Sequence, residues 1–405
     1  MKALAQLNRN NLFEKMENNS VLVLFSGTEI NRSADENYPF SVNRNFYYLT
    51  MIDEPNLILL MNKTEKGNQT ILFIEKVDLF YEKWIGKKLN EEKAIEYSGI
   101  TEYRYLEEFE TILFDLAKNI VYLDFEEKEE VNTSRSWYYK DLLENHNIEI
   151  EDAYPLIKAL RTVKSGQEIE MLQQAIDITN LGLQSIMKSL VVGKKEYQVV
   201  GDFNYVLSQH QSATSFPTIA ASGENAITLH YTKNDDTLED ENLVLFDLGA
   251  SQKKYCGDIS RTYPINGVFT KRQRELYEMV LSIQKKVIEA VKPGVCMKEL
   301  QDMVLDYYAK ELLERGLISK AEEVSKYYYH GVSHSLGLDT HDIGLSKYQP
   351  LVPGNVITVE PGIYIKEEGI GIRIEDDILV TEDGNINLSE AIIKEVKDIE
   401  GFMRR

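Results

Sequence analysis

The chain has 405 residues, more than one ordinary hydrophobic core accommodates, and 43% of them are hydrophobic, which is material for two domains. Its 66 acidic and 45 basic residues leave a formal charge of −21, which disfavours nucleic acid, because phosphate binding needs a cationic surface. Two cysteines, Cys256 and Cys296, make no disulfide framework and fit a reducing compartment, so a cytoplasmic location is expected.

Gln6, Asn8 and Arg9 interrupt the stretch Met1 to Asn10 before any signal-peptide apolar region forms, and runs such as Leu57 to Met61 are far too short to cross a bilayer. Neither export nor a membrane anchor is expected. Val21 to Phe25, Leu57 to Met61, Thr70 to Ile74 and Val121 to Leu123 read as short buried strands, and Leu106 to Ala117 has helical spacing. This alternation predicts a small α/β domain over residues 1–155, ending near Tyr154 at the turn signal Asp152 to Pro155.

The second domain, residues 156–405, opens on a helix whose start is a capping box, Ser165 with Glu168, ahead of Ile169, Leu172, Ile176, Leu183, Met187 and Leu190. A second amphipathic helix over Arg272 to Ala290 has Leu276, Met279, Val280, Ile283 and Val287 on one face, and a third covers Met297 to Gly316. Between and after these helices the pattern predicts β segments only. Two hairpins stand out: Leu243 to Gly249 with Tyr255 to Pro264, and Val356 to Ile365 with Gly371 to Thr381. Helix followed by hairpin, twice, is a coarse internal echo. The run Tyr327 to Tyr329 reads as a half-buried strand.

Asp247 closes the apolar run that begins at Leu243, where an acid is costly unless it is paired with a charge or a metal. Asp258 lies at the start of its return strand, Glu360 ends Val356-Ile-Thr-Val, and Glu375 follows Ile372-Arg-Ile. The period of two sets Ile372 and Ile374 on one face and Arg373 with Glu375 on the other. Any one such acid is most simply a turn residue; four together permit convergent carboxylates. Three of the six histidines, His330, His334 and His341, cluster at spacings of four and seven, whereas His146 and His210 read as structural. Four carboxylates and one imidazole carry a charge that two divalent cations neutralise, with room left for a bridging hydroxide and a substrate oxygen. Oxygen-rich ligands with one nitrogen favour Mn²⁺, with Co²⁺ or Zn²⁺ as alternatives.

Asp247-Leu-Gly, Asp258-Ile-Ser-Arg-Thr, His334-Ser-Leu-Gly-Leu-Asp-Thr-His341-Asp, Glu360-Pro-Gly and Arg373-Ile-Glu375-Asp-Asp resemble the pita-bread metallopeptidases of the aminopeptidase P and prolidase family. Tyr38-Pro-Phe and Phe46-Tyr-Tyr-Leu-Thr are similar to the N-terminal domain of aminopeptidase P. The resemblance implies an α/β N-terminal domain followed by an α+β pita-bread catalytic domain of the creatinase and aminopeptidase type. It further implies that Asp247, Asp258, His334, Glu360 and Glu375 hold two metals, with Asp258 and Glu375 bridging. Glu360 would also shuttle a proton to the proline nitrogen, which cannot leave as an anion. By the same likeness His230 and His341 position substrate and stabilise the tetrahedral intermediate, His330 lines the proline-side pocket, and Arg373 orients a carboxylate. The plainer reading of His230 is an exposed loop residue, and of Arg373 an ion pair with Glu375 or Asp376.

The implied activity is that of an Xaa-Pro aminopeptidase acting on proline-containing peptides by attack of a metal-bridging hydroxide, with a homodimer or higher homo-oligomer expected. A dipeptidase with the same metals would need a cationic group for the free carboxylate. A non-catalytic binding module, or a metal-free creatinase-like hydrolase, would be expected to lack ligands that are all present here. Three positions depart from the family pattern: Cys256, on the face of Asp258 by strand parity and either oxidation-sensitive or inert; Ser335, where an aromatic is frequent; and Met51, where glycine is common. The last two bear on substrate preference.

Overall fold

The computed structural model describes residues 1–404 apart from 77–79, 81 and 127–129. The chain divides into two compact units, Met1–Arg161 and Thr162–Arg405. Among the described residues no helix is long and apolar enough to cross a membrane.

The first unit is built on a mixed sheet of six strands. In chain order its strands are β1 (Ser20–Phe25), the small ribbon β2 (Asn31–Ser33) and β3 (Glu36–Asn37), then β4 (Ile58–Thr64), β5 (Gly67–Ile74), β6 (Glu102–Tyr105), β7 (Ile120–Leu123) and β8 (Glu149–Asp152). The sheet order is β6-β5-β4-β1-β7-β8. All four expected strands are there, and the helix expected over Leu106 to Ala117 begins as a 3-10 turn and runs to Leu116. The unanticipated β6 and β8 are polar edge strands, half-exposed and short of apolar residues, so no buried-strand pattern marks them. Val21, Val23, Phe25, Ile58, Leu60, Ile71 and Phe73 pack with Phe109 and Leu113 into the core on one face.

The helices of this unit are α1 (Lys2–Lys15), α2 (Arg44–Thr50), α3 (Glu82–Ile85), α4 (Glu91–Ser98), α5 (Phe109–Leu116), α6 (Glu130–Glu144) and α7 (Tyr154–Arg161). Asp152 at the expected turn caps α7, its Oδ1 accepting from the Tyr154 N–H at 2.9 Å. Met51 ends α2 in the left-handed region, φ 57° and ψ 25°. A glycine at this position would meet the same backbone demand without the cost of a Cβ.

The second unit begins with α8 (Gly166–Ser189), and its Ser165–Glu168 capping box forms as the motif demands. Helix α9 (Glu196–Gln209) follows, then β9 (Ala213–Thr214), β10 (Ile219–Ser222) and the first hairpin, β11 (Leu243–Leu248), β12 (Ala250–Gln252), β13 (Tyr255–Cys256) and β14 (Ile259–Pro264). Next come α10 (Lys271–Ala290), α11 (Met297–Glu314) and the second hairpin: β15 (Val356–Val359), β16 (Gly362–Ile365), β17 (Ile370–Arg373) and β18 (Asp376–Val380). The short β19 (Asn385–Asn387) and helix α12 (Val396–Met403) close the chain. The order helix, helix, hairpin therefore occurs twice.

Helices α9 and α12 correct the expectation of β segments only. In α9 the buried stripe Glu196, Val199, Phe203 and Leu207 is helical, but Tyr197 and Tyr205 on the open face blur its contrast. Tyr327 to Tyr329 form no strand: Tyr328 packs on Tyr308 and His330, while Tyr329 lies 5.1 Å from the Tyr364 ring, so these two side chains find separate partners. Each hairpin keeps one register across its interruption, Leu248 with Ile259 then Ser251 with Cys256, and Val359 with Asp376 then Gly362 with Arg373.

Left-handed backbone costs a residue with a Cβ about 1 kcal/mol, and truncating buried Met51 loses packing whichever small residue replaces it. Met51→Gly should therefore be more stable than Met51→Ala by about 1 kcal/mol. Urea denaturation of the two variants checks this, and equal midpoints would contradict it.

Candidate metal centre

Asp247 sits on β11 opposite Ser260 of β14, and strand parity puts Asp258 on the same face. In the second hairpin the register brings Glu360 and Glu375 opposite each other, at the interruption between its strand pairs. There the backbone turns to new partners: the Glu360 N–H donates to the Val332 carbonyl, and the Glu375 N–H to the Ser260 carbonyl at 3.1 Å. The Ser260 hydroxyl donates to Glu375 Oε2 at 2.7 Å, and the Asp258 N–H to Asp377 Oδ2 at 3.1 Å. The two hairpins thus meet acid face to acid face.

Arg373 ties that meeting together. It donates to Asp247 Oδ2 at 2.6 Å, to the Ser260 hydroxyl at 2.7 Å and to the Tyr364 hydroxyl at 3.0 Å. The ion pair expected with Glu375 or Asp376 is therefore made with Asp247. Asp376 has the opposite parity and pairs with buried Arg261 at 2.7 Å and with Lys394. In Glu360-Pro-Gly, a Cβ on Gly362 would lie 2.6 Å from the Tyr364 hydroxyl, so only glycine leaves that phenol its place.

His334 reaches the acids from a loop. Its N–H donates to Thr358 Oγ1 and its carbonyl accepts from the Thr358 N–H, which stitches it to β15. Nδ1 lies 3.1 Å from the Ser335 carbonyl, so as a donor there it leaves Nε2 with a lone pair, 3.4 Å from Asp258 Oδ2 and 3.6 Å from Glu360 Oε1. The His341 ring stands 4.3 Å from that of His334. Its neighbour Asp342 is held in a buried ion pair with Lys164 at 3.1 Å and donates its N–H to the Ser335 carbonyl, closing the loop.

His330 Nε2 is 2.8 Å from the Tyr364 hydroxyl and Nδ1 is 2.8 Å from the Gly331 carbonyl. Burial, helped by the Arg373 charge, lowers its pKa to about 3, so the ring is neutral. These partners define a relay in which Arg373 donates to Tyr364, Tyr364 to His330, and His330 to a carbonyl. His230 is exposed on the loop after β10, with Leu229 and Tyr231 packed against a cluster containing Tyr364. His146 and His210 each contact the carbonyl four residues earlier, as structural histidines do. Cys256 is buried with Sγ towards the Leu338 and Lys254 carbonyls, and no register shift intervenes before Asp258.

The donor set suits cations. Asp258, His334 and Glu375 each offer a ligand atom within 4.8 Å of the others. Asp247 and Glu360 fall outside that tight trio, yet Asp247 Oδ1 is buried without a hydrogen-bond partner, as a ligand oxygen awaiting a cation would be. Burial, then the charges of Asp247, Asp377 and Glu360, push Asp258 well up; burial, then Asp258 and Glu360, do the same to Glu375. Burial holds Glu360 up at about 6. Mutually repelling buried acids of this kind are what divalent charge relieves.

Sequence reading had singled out Asp247, Asp258, Glu360 and Glu375 at strand ends and His330, His334 and His341 by their spacing, whereas His230 was drawn in only by the family resemblance. It missed Ser260, Tyr364 and Thr358, which connect them, although all three share the parity of a nearby acid: Ser260 with Asp258, Tyr364 and Thr358 with Glu360.

A two-unit chain whose paired hairpins bring acids to a loop histidine, in a donor set suited to divalent metal, defines a class, and comparison with known proteins places it. Residues 170–382 match metallopeptidase family M24 and residues 5–122 match the aminopeptidase P N-terminal domain. The chain belongs to metallopeptidase family M24 and carries the pita-bread catalytic fold of that family behind an aminopeptidase P N-terminal domain. It is 39% identical to the Xaa-Pro aminopeptidase of Haemophilus influenzae, over 98% of this chain and 96% of that one. With human Xaa-Pro aminopeptidase 3 it shares 33% identity over 94% of this chain and 80% of the relative. The structure of zinc-substituted aminopeptidase P from Escherichia coli in complex with product superposes with a TM-score of 0.92 at 33% identity, covering 100% of this chain and 98% of that one.

Because folding raises the proton affinity of Glu360, the metal-free protein has this contribution in full below the ordinary glutamate range and loses it as pH rises through about 6. Between pH 5 and 7 stripped protein should lose about 1–2 kcal/mol from this group, and added divalent metal should abolish the loss. Thermal denaturation at both pH values, with chelator and with metal, tests the fit; the same pH dependence in both states would count against it.

Proposed function

We infer that the chain is a metal-dependent Xaa-Pro aminopeptidase, releasing the first residue of peptides whose second residue is proline. Support comes chiefly from the trio Asp258, His334 and Glu375 in a chain that aligns end to end with curated Xaa-Pro aminopeptidases. In this reading Asp247, Asp258, His334, Glu360 and Glu375 hold two divalent ions, Mn²⁺ for preference and Co²⁺ or Zn²⁺ otherwise. When bound, such ions supply Lewis-acid polarisation of a peptide carbonyl and acidify water.

The remaining work falls to side chains. Glu360 takes the proton of the attacking water and returns it to the proline nitrogen, a tertiary amide nitrogen that leaves only when protonated. Its carboxyl, held up at about 6 by burial before any cation opposes that shift, lies in a range suited to proton exchange near neutrality. Arg373 keeps Asp247 oriented and, through Tyr364, keeps His330 neutral with its Nε2 accepting. His341, beside His334, and His230 position the substrate and stabilise the developing oxyanion, and His330 lines the proline side. We assign catalysis to residues 156–405 and an accessory role to residues 1–155. A homo-oligomer in the cytoplasm is the accompanying expectation, which sedimentation and fractionation would test.

Glu360→Gln should retain the fold and lose at least about 100-fold in kcat, since an amide cannot shuttle protons. Near wild-type turnover would sink the mechanism. His334→Ala should instead lower the metal bound per chain, read by elemental analysis. Stripped and reconstituted enzyme should cleave Xaa-Pro-Xaa peptides; cleavage confined to Xaa-Pro dipeptides would favour the dipeptidase.

A further inference from the structure

Glu196, the acid that opens helix α9, takes no part in the chemistry above and is completely buried. One carboxylate oxygen accepts from the N–H and the hydroxyl of Ser222 at 2.8 and 2.7 Å, and from Asn225 Nδ2 at 3.2 Å. The other accepts from the Tyr231 hydroxyl at 2.8 Å and the Asp236 N–H at 3.0 Å. Ser222 ends β10 and Asp236 lies on the far side of the loop, so one carboxylate closes residues 222–236 upon themselves. The backbone reinforces this, the Glu196 N–H donating to the Asp236 carbonyl at 3.0 Å and the Leu238 N–H to that of Lys194 at 2.8 Å.

The loop is fastened elsewhere too. Asn234, left-handed at φ 49°, donates to the Thr218 carbonyl and accepts from the Ala220 N–H, both at 2.8 Å. The Tyr329 hydroxyl donates to the Ile227 carbonyl at 2.5 Å. At Gly371 a Cβ would stand 2.3 Å from the Ala226 carbonyl oxygen, so the loop rests directly on the backbone of β17, the strand that carries Arg373. Leu229 and Tyr231 pack into the apolar cluster that includes Tyr364, and between them His230 alone faces solvent. Burying an ion is costly unless its bonds are complete, and only a carboxylate has the lone pairs for this many donors. Anchoring a helix start needs far fewer.

We propose that Glu196 is a positioning residue for the reaction: its carboxylate presets the loop 222–236 so that His230 stands ready on the Tyr364 side of the metal centre. This rests on the role given to His230 above. Its effect is on orientation, so the loss of activity on its removal should run through His230, the one side chain of this loop given a part in the reaction.

The test is a double-mutant cycle on the full-length, metal-loaded chain with an Xaa-Pro-Xaa tripeptide, measuring kcat, KM and bound metal for Glu196→Gln, His230→Ala and the pair. Glu196→Gln should lower kcat/KM about tenfold or more with metal content unchanged, and should add nothing once His230 is alanine. Tyr231→Phe, which leaves Glu196 its other donors and spares the fold if Glu196→Gln does not, should show the same dependence on His230 at about threefold. Losses that multiply in the double variants, or that track loss of metal, would reduce Glu196 to a structural residue and overturn the proposal. Cleavage by the unaltered chain together with full activity of His230→Ala would overturn it alone. No cleavage by the unaltered chain would bring down the proposed function as well.

Discussion

The contact on which the second unit most depends is that of the Arg373 guanidinium with Asp247, Ser260 and Tyr364. Asp247 and Ser260 belong to one hairpin, Arg373 and Tyr364 to the other, so a single planar group with a fixed fork of donors sets how the acid faces meet. It also places a positive charge among carboxylates that burial and mutual repulsion push well up, and partly opposes that push. Lysine in its place would offer a point charge and could not serve three partners in one plane.

Around that fork the site is assembled from groups whose own positions are over-determined. The Ser335 carbonyl turns the His334 ring, Thr358 holds its backbone, and the Lys164–Asp342 pair closes the loop on which His341 stands. On the other flank, Glu196 and Asn234 fasten the loop of His230. Loops that carry reactive side chains are ordinarily the mobile parts of an enzyme; here buried polar bonds take the place of secondary structure in holding them.

The hairpins, the long helices and the capping box of α8 were legible because each rests on local physics: a period of two or of 3.6, and a side chain that reaches a nearby amide. Helix α9 was missed because exposed tyrosines mimic a second apolar face, and the tyrosine run misread because its residues find partners far away in sequence. The left-handed end of α2 at Met51 carries no local pattern either, because methionine is not a residue that marks such a turn.

The sequence by itself determined which residues were candidates to act together, since an acid closes each apolar strand of the two hairpins, three histidines crowd one short stretch, and strand parity sets Arg373 and Glu375 on one face. Only the tertiary structure decided that Arg373 pairs with Asp247 and not with its neighbours Glu375 or Asp376, that Tyr364 joins it to His330, and that Glu196 bonds to Tyr231 in the His230 loop. Those choices are made between segments from about thirty to over a hundred residues apart, where the partner is set by how two hairpins and a loop come to rest against each other. No local periodicity carries that information.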